Sequence, residues 1–250
     1  MEPAPAATAV RDFADLRRRA AQLGPRRVAI ADADDDVALE AAAGALRAHI
    51  AFPVLIGDAA RIRSRAHALG LIDLADAAEF IPAADPARAA VALAHDGHVD
   101  LLLKGHLRTD ELLLPVLDRN TGLRTGRLLS DVAFFEHRGP DGPRLVGISD
   151  GGLNVAPTLE QKEQIIDGAI EVLHSLGVMQ PKIAIMSAVE VVSEAIPSTV
   201  DAAAITRQAP HATLSGTAQN KRRHDLVADE PLSSRGDVDP EGLPAFLQHP

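Results

Sequence analysis

Short apolar runs alternate with stretches of helical period along most of this chain. Residues 27–32, RVAIAD, have the form of a buried strand running into a loop. PVLIG at 53–57 is a second short strand, AEFIP at 78–82 a weaker third, and VDLLLKG at 99–105 a strand that enters a glycine turn. Between them, residues 37–49 repeat Ala and Leu at helical spacing. Asp58 is placed to cap a helix that continues over 61–69 and ends at Gly70. Pro86 sits at the first turn of a helix reaching His95, and another runs from Thr109 to Leu117. Ahead of Gly24 lies a polar lead and one helix marked by Val10, Phe13 and Leu16. This alternation predicts a parallel sheet covered on both faces. Residues 128–136 and 145–149 read as two more strands, paired across RGPDGP at 138–143. A long helix over 157–176 follows, with Ile165, Ile166, Ala169, Ile170 and Leu173 on one face, and then a strand at 182–186. From residue 207 no apolar period is sustained. Ordering such backbone costs about 1–2 kcal/mol per residue, so residues 207–250 are predicted to be a poorly ordered tail.

Composition narrows the function classes. The chain has 250 residues, with 25 Lys+Arg against 35 Asp+Glu and a formal charge of −10, which repels a nucleic-acid backbone. Aromatics are confined to six Phe, which argues against stacking platforms for single strands. With no Cys there are no disulfides, no thiolate metal ligands and no thiol nucleophile. No apolar run approaches the roughly 18 residues that span a bilayer, and the N-terminus lacks the pattern of a signal peptide. The expectation is a cytoplasmic α/β protein without nucleic-acid or membrane partners.

Three loops carry candidate chemistry. Lys104-Gly105-His106-Leu107-Arg108-Thr109-Asp110 joins a strand end to a helix start, where α/β folds bind ligands and free helix amides face anions. The competing reading makes Lys104 and Arg108 solvated and Thr109 an ordinary N-cap. Arg124 and Arg127 lie on a loop framed by Gly122 and Gly126, suited to phosphate or carboxylate, or simply solubilising. Asp150, Gly151, Gly152 and Asn154 follow a strand. Asp150 is placed to accept a proton or orient a donor and Asn154 to hold a carbonyl oxygen, unless the segment is an Asx-type turn. The cluster Asp32, Asp34, Asp35 and Asp36 is a helix N-terminal charge run or a weak Mg²⁺ site. No nicotinamide, Walker or His-Glu-x-x-His fingerprint is present, so no metal site is expected.

Four stretches, KGHLRTDELL at 104–113, GLRTGRLLSDVAFFE at 122–136, ISDGGLNVAPTLEQKEQII at 148–166 and PKIAIMSAVEVVSEAIPST at 181–199, together resemble the phosphate acetyl/butyryltransferase family. The resemblance covers residues 20–206. It implies a two-lobed α/β/α sandwich with a mainly parallel sheet, of the isocitrate-dehydrogenase-like type and incomplete at its C-terminus. Lobe one would span about 20–125 and lobe two about 126–206, with the site in the interlobe cleft. The implied reaction is acyl-CoA + phosphate ⇌ acyl phosphate + CoA by direct transfer. The resemblance also implies that CoA is a substrate, that no cofactor is needed and that the enzyme is a homodimer, as members of the family often are. The resemblance places Lys104, Gly105, Thr109, Arg124 and Arg127 around the phosphate, Ser130 and Asn154 as donors to oxygens, and Asp150 as an orienting or proton-accepting group.

The sequence departs from the family at Leu114, where a basic residue is usual, at Asp131, where His is common, and at Gly151-Gly152. After Thr206 the family's later motifs, to which CoA binding and thiol deprotonation are ascribed, do not appear. That break suggests a shifted reading frame or a truncated gene, with a genuinely divergent tail as the alternative. The alternative function is a non-catalytic remnant that retains part of a phosphate- and CoA-binding cleft.

Overall fold

The computed structural model describes residues 8–140, 142–189, 191–208 and 214–216. The chain divides into two compact units. One is Arg11–Leu128; the other combines Leu129 onward with the lead up to Val10. The boundary falls three residues beyond the expected one. The lead joins the second unit because the Val10 amide donates to the Leu176 carbonyl at 2.8 Å.

In the first unit the order is α1 (Phe13–Leu23), β1 (Arg26–Ala31), α2 (Asp36–Arg47), β2 (Ala51–Gly57), α3 (Ala59–Ala68), α4 (Ile72–Ala77), β3 (Glu79–Pro82), α5 (Pro86–His95), β4 (Leu101–Lys104) and α6 (Thr109–Val116). The strands form one parallel sheet in the order β3-β2-β1-β4. Both faces are buried at the sheet's centre, so β1 from Val28 onward and β2 are apolar without alternating polar residues. Register decides which face each residue serves. Ile30 and Leu55 pair and pack with Leu39, Ile62 and Leu74 from α2, α3 and α4. Their neighbours Ala29, Ala31, Val54 and Ile56 point the other way, with Ala90 of α5 packed against them. Burying each Leu or Ile fully is worth about 1.5–3 kcal/mol, so the centre of this sheet is the molecule's main stabilising region. Asp residues start most of these helices. Asp12, Asp35, Asp58 and Asp85 each accept a first-turn amide, as the sequence predicted for Asp58.

The second unit contains the antiparallel hairpin β5 (Ala133–Gly139) and β6 (Gly142–Ile148), helix α7 (Leu159–Ser175), strand β7 (Ile183–Ile185), helix α8 (Pro197–Gln208) and strand β8 (Leu214–Gly216). The hairpin is shifted from the expected strands. Its ladder runs to a Gly139–Gly142 pair, with Gly142 at φ 96°, so the strands take up most of the expected turn. Residues 128–132 stay outside the ladder. Helices α4 and α8 were not predicted. Each is built around small buried residues, Ala75 beside Leu74, and Ala202 and Ala203 beside Ile205, whose apolar signal is weak. Strand β8 corrects the expectation of an unstructured tail at its own position, since Leu214–Gly216 pair in parallel with Ile183–Ile185. The rest of that tail lies outside the described residues. The α/β class and the mainly parallel pairing are as expected. No helix among the described residues is long and apolar enough to cross a membrane.

Candidate functional site

The chain crosses from one side of β1 to the other between β3 and β4. The ends of β1 and β4 therefore flank a topological switch point, where open α/β sheets bind ligands. Lys104 ends β4 there, exposed, and its ammonium donates to the Leu107 carbonyl at 2.7 Å, arching over the turn. Gly105 is glycine for a steric reason. A Cβ at that position would lie 2.1 Å from the Asp32 carbonyl oxygen, and the Gly105 and His106 amides donate to the Ala31 and Asp32 carbonyls. The close approach is to the neighbouring strand's own backbone. Thr109 is the first residue of α6 and not its N-cap. Arg108 holds that place, with its amide donating to the Glu111 carboxylate at 2.7 Å. Arg108 also forms an ion pair with Asp110, which raises the guanidinium's proton affinity and lowers that of the carboxyl. Two carboxylates thus already occupy the first turn of α6. An anion near this loop depends on Lys104 more than on the helix end.

The arginine loop is anchored at one end and open at the other. Asp118 accepts from the Asn120 and Thr121 amides and the Thr121 hydroxyl, which lower its pKa. Gly122 packs so closely on the end of α6 that a Cβ would meet the Val116 and Asp118 carbonyls at 2.5 Å, and the Leu123 amide caps Val116. Beyond that anchor Arg124 is exposed and makes no hydrogen bond or ion pair with any described residue, leaving its fork of donors uncommitted. Arg127 is also exposed and follows Gly126, whose φ is 84°.

In the second unit the segment 129–131 is tied to the loop 149–154 by three bonds. The Ser149 hydroxyl donates to the Asp131 carbonyl at 2.6 Å, the Gly151 amide to the Asp131 carboxylate at 2.6 Å, and Asn154 Nδ2 to the Leu129 carbonyl at 3.0 Å. Asn154 Nδ2 also donates to Asp150 Oδ2 at 2.6 Å. Both amide protons are thereby used on acceptors, which corrects the expectation that Asn154 donates to a substrate oxygen; only its Oδ1 remains open. Asp150 Oδ1 accepts from the Gly152 and Leu153 amides at 2.8 and 2.7 Å. Burial alone would raise the Asp150 carboxyl, but these donors outweigh it and hold the pKa below its ordinary value. The Asx-type reading is therefore the one realised. The Asp150 carboxylate thereby holds the Asn154 side chain and the amides of its own turn.

Ser130 lies between the two tethered residues, half-buried. Its hydroxyl has no hydrogen-bond partner among the described residues. Gly168 of α7 leaves room for it, since a Cβ there would sit 3.4 Å from Ser130 Oγ. The outcome is a free hydroxyl on backbone fixed from both sides. Asp131 is the supporting residue that the sequence reading missed, because its partner lies twenty positions away. Leu114, at the place of the family's basic residue, is exposed. The acidic cluster is largely neutralised: Asp34 pairs with Arg61 and Arg65 at 2.5 and 2.6 Å, Asp36 with Arg65, and Asp35 caps α2. No group of three or more His, Asp or Glu among the described residues is arranged to hold a metal ion.

Residues 71–219 match the family described as phosphate acetyl/butaryl transferase. A phosphate butyryltransferase of Clostridium beijerinckii is 36% identical over 82% of this chain and 68% of its own length. One from Clostridium acetobutylicum is 33% identical over 90% and 71%. Among solved structures, a branched-chain phosphotransacylase from Enterococcus faecalis superposes with a TM-score of 0.63 at 26% identity, over 78% of this chain and 67% of that one.

Proposed function

This chain belongs to the phosphate acetyl/butyryltransferase family, and we propose that it moves a short acyl group between CoA and inorganic phosphate. Sequence identity above 30% along most of the chain to named phosphate butyryltransferases carries this reading. In the thioester-forming direction the CoA sulfur attacks the carbonyl carbon of an acyl phosphate. The bond from that carbon to the phosphate oxygen breaks, phosphate leaves and the thiol proton passes to solvent or to the departing phosphate. Three demands follow: fix the phosphate, donate to the carbonyl oxygen as charge gathers there, and hold the reactants in line.

The residues divide among these tasks. Arg124 offers an unpaired fork and Lys104 two ammonium protons beyond the one given to Leu107, so these carry the phosphate, with Arg127 and Thr109 in support. Ser130 is the donor to the carbonyl oxygen, and its fixed backbone gives it little to reorganise. Gly105, Asp131, Asp150 and Asn154 are positioning residues. In this reading transfer is direct and needs no cofactor, and the enzyme works in the cytoplasm as a homodimer, which sedimentation of the purified chain checks.

The test is thioester formation from CoA with acetyl or butyryl phosphate, run beside Arg124→Ala. Turnover that depends on the acyl phosphate and falls about 100-fold or more in the variant supports the assignment. A folded chain that binds acyl-CoA without turnover identifies the non-catalytic alternative.

A further inference from the structure

Among the acidic residues that follow β1, Asp32 differs from its neighbours. Asp34, Asp35 and Asp36 each have an arginine or a helix amide as partner. The Asp32 carboxylate is half-buried and accepts no hydrogen bond from any described residue. Leaving such a group dry and unpaired is costly unless something else satisfies it. Burial raises its pKa, as does the Asp34 charge, while His106 and Arg61 act in the opposite sense. Its backbone is at φ 55°, the left-handed region, and is held there by the bond from the His106 amide. The position is therefore built, at the switch point of the first unit's sheet.

An open groove of about 550 Å³ lies beside it, over the ends of β2 and β3 and walled by residues 57–60 and 82–84. Its walls are Gly, Ala and Pro apart from Asp58, whose carboxylate is turned onto the Ala60 and Arg61 amides. Gly57 separates the groove from Asp32, and a Cβ at Gly57 would be 3.4 Å from Asp32 Oδ1. Gly57 is thus the residue that both lines the groove and lies against the Asp32 carboxylate.

The ligand chemistry follows from these features. An unpaired carboxylate selects a group that donates hydrogen bonds. Asp32, Asp34 and Glu111 against His106 and a committed Arg61 disfavour a phosphate at the same point. Small, smooth walls accept a flat ring. In CoA the exocyclic amine of adenine is a donor on a flat ring, remote from the phosphates. We infer that this groove binds the adenosine end of CoA, with Asp32 accepting from the adenine amine. The inference rests on the proposed use of CoA, but its site can be tested apart from turnover.

The experiment compares wild type with Asp32→Gly, which keeps the positive φ and removes the acceptor, and with Ala84→Phe, an exposed position that fills the groove. Adenosine is titrated calorimetrically, and KM is measured for CoA and for pantetheine, which lacks the adenosine. Both variants are expected to weaken adenosine binding and raise the KM for CoA about tenfold, with kcat and the KM for pantetheine within twofold. Adenosine that fails to bind, or binds both variants as it binds wild type, overturns the inference while turnover with CoA keeps the family reaction. Equal increases for CoA and pantetheine also overturn it, placing Asp32 on the thiol-bearing arm. A chain without turnover whose adenosine binding still requires Asp32 retains the site and loses the proposed reaction.

Discussion

Each of the two units of this molecule is ordered internally by a different kind of interaction. Most buried apolar side chains lie in the first unit; the second contributes Val10, Ile165, Pro181, Ala202, Ala203 and Ile205 among the described residues. Phe135, Ile148, Val155 and Met186 of the second unit are 44%, 57%, 95% and 76% exposed. What gives the second unit its local order around Ser130 is a set of side-chain bonds among Leu129, Asp131, Ser149, Asp150 and Asn154. Apolar burial is non-directional and scales with area, whereas each polar bond nets only about 0.5–1.5 kcal/mol but fixes direction. The first unit is stabilised chiefly by apolar burial, whereas directional polar bonds order the segment around Ser130 in the second.

Substitutions separate the two roles. Leu55→Ala, at a fully buried position in the central strand β2, is expected to cost about 2–5 kcal/mol in urea unfolding. Phe135→Ala, half-exposed in the hairpin, is expected to cost no more than about 1 kcal/mol in the same measurement. Similar losses for the two would erase the contrast. Gly105→Ala drives a methyl into the Asp32 carbonyl and is expected to cost about 1–3 kcal/mol, together with a shift in the amide resonances of residues 31–33. Asn154→Ala removes the bonds to Leu129 and Asp150. Its expected cost is about 1–2 kcal/mol, seen as faster hydrogen exchange at the Gly152 and Leu153 amides while those of β1 and β2 stay protected. Exchange that also accelerates in the sheet would show the units unfolding together. Asp58→Ala, the loss of one cap, is expected to cost about 1 kcal/mol in thermal unfolding.

Acid separates the units by sign. Asp150 has a folded pKa below the ordinary 3.8, so its contribution is present above that value and lost as pH falls through the folded pKa. Asp32 has a folded pKa above 3.8, so its ionised form is a liability at neutral pH that protonation relieves before pH reaches 3.8. Unfolding free energy measured against pH should therefore show Asp150→Asn losing its deficit relative to wild type below 3.8. Asp32→Asn should lose its advantage on the way down to that value. Parallel curves for both variants would contradict the assigned directions.

Much of the first unit was legible along the chain because its determinants are local. Apolar runs bounded by Asp caps, Pro86 and Gly70 define strand, cap, helix and stop within a few residues of each other. Helix α8 escaped notice because it is packed through alanines, which score weakly in any apolar pattern, and β8 because a three-residue strand has meaning only beside β7. At the site, Lys104, Arg124 and Ser130 were singled out as residue types that can bind anions or donate. Whether each is free to act was not legible.

By itself the sequence determined the α/β class, the parallel first sheet, the cap at Asp58 and the family. All of these depend on residues close together or on motifs in order. Only the tertiary structure decided that Asn154 spends both its amide protons on Leu129 and Asp150, that Gly105 yields to the Asp32 backbone, and that Asp32 and Arg124 are left unpaired. The reason is physical. A residue's type sets which bonds it can make, but its partners stand across a sheet or a loop, and folding alone brings them within reach.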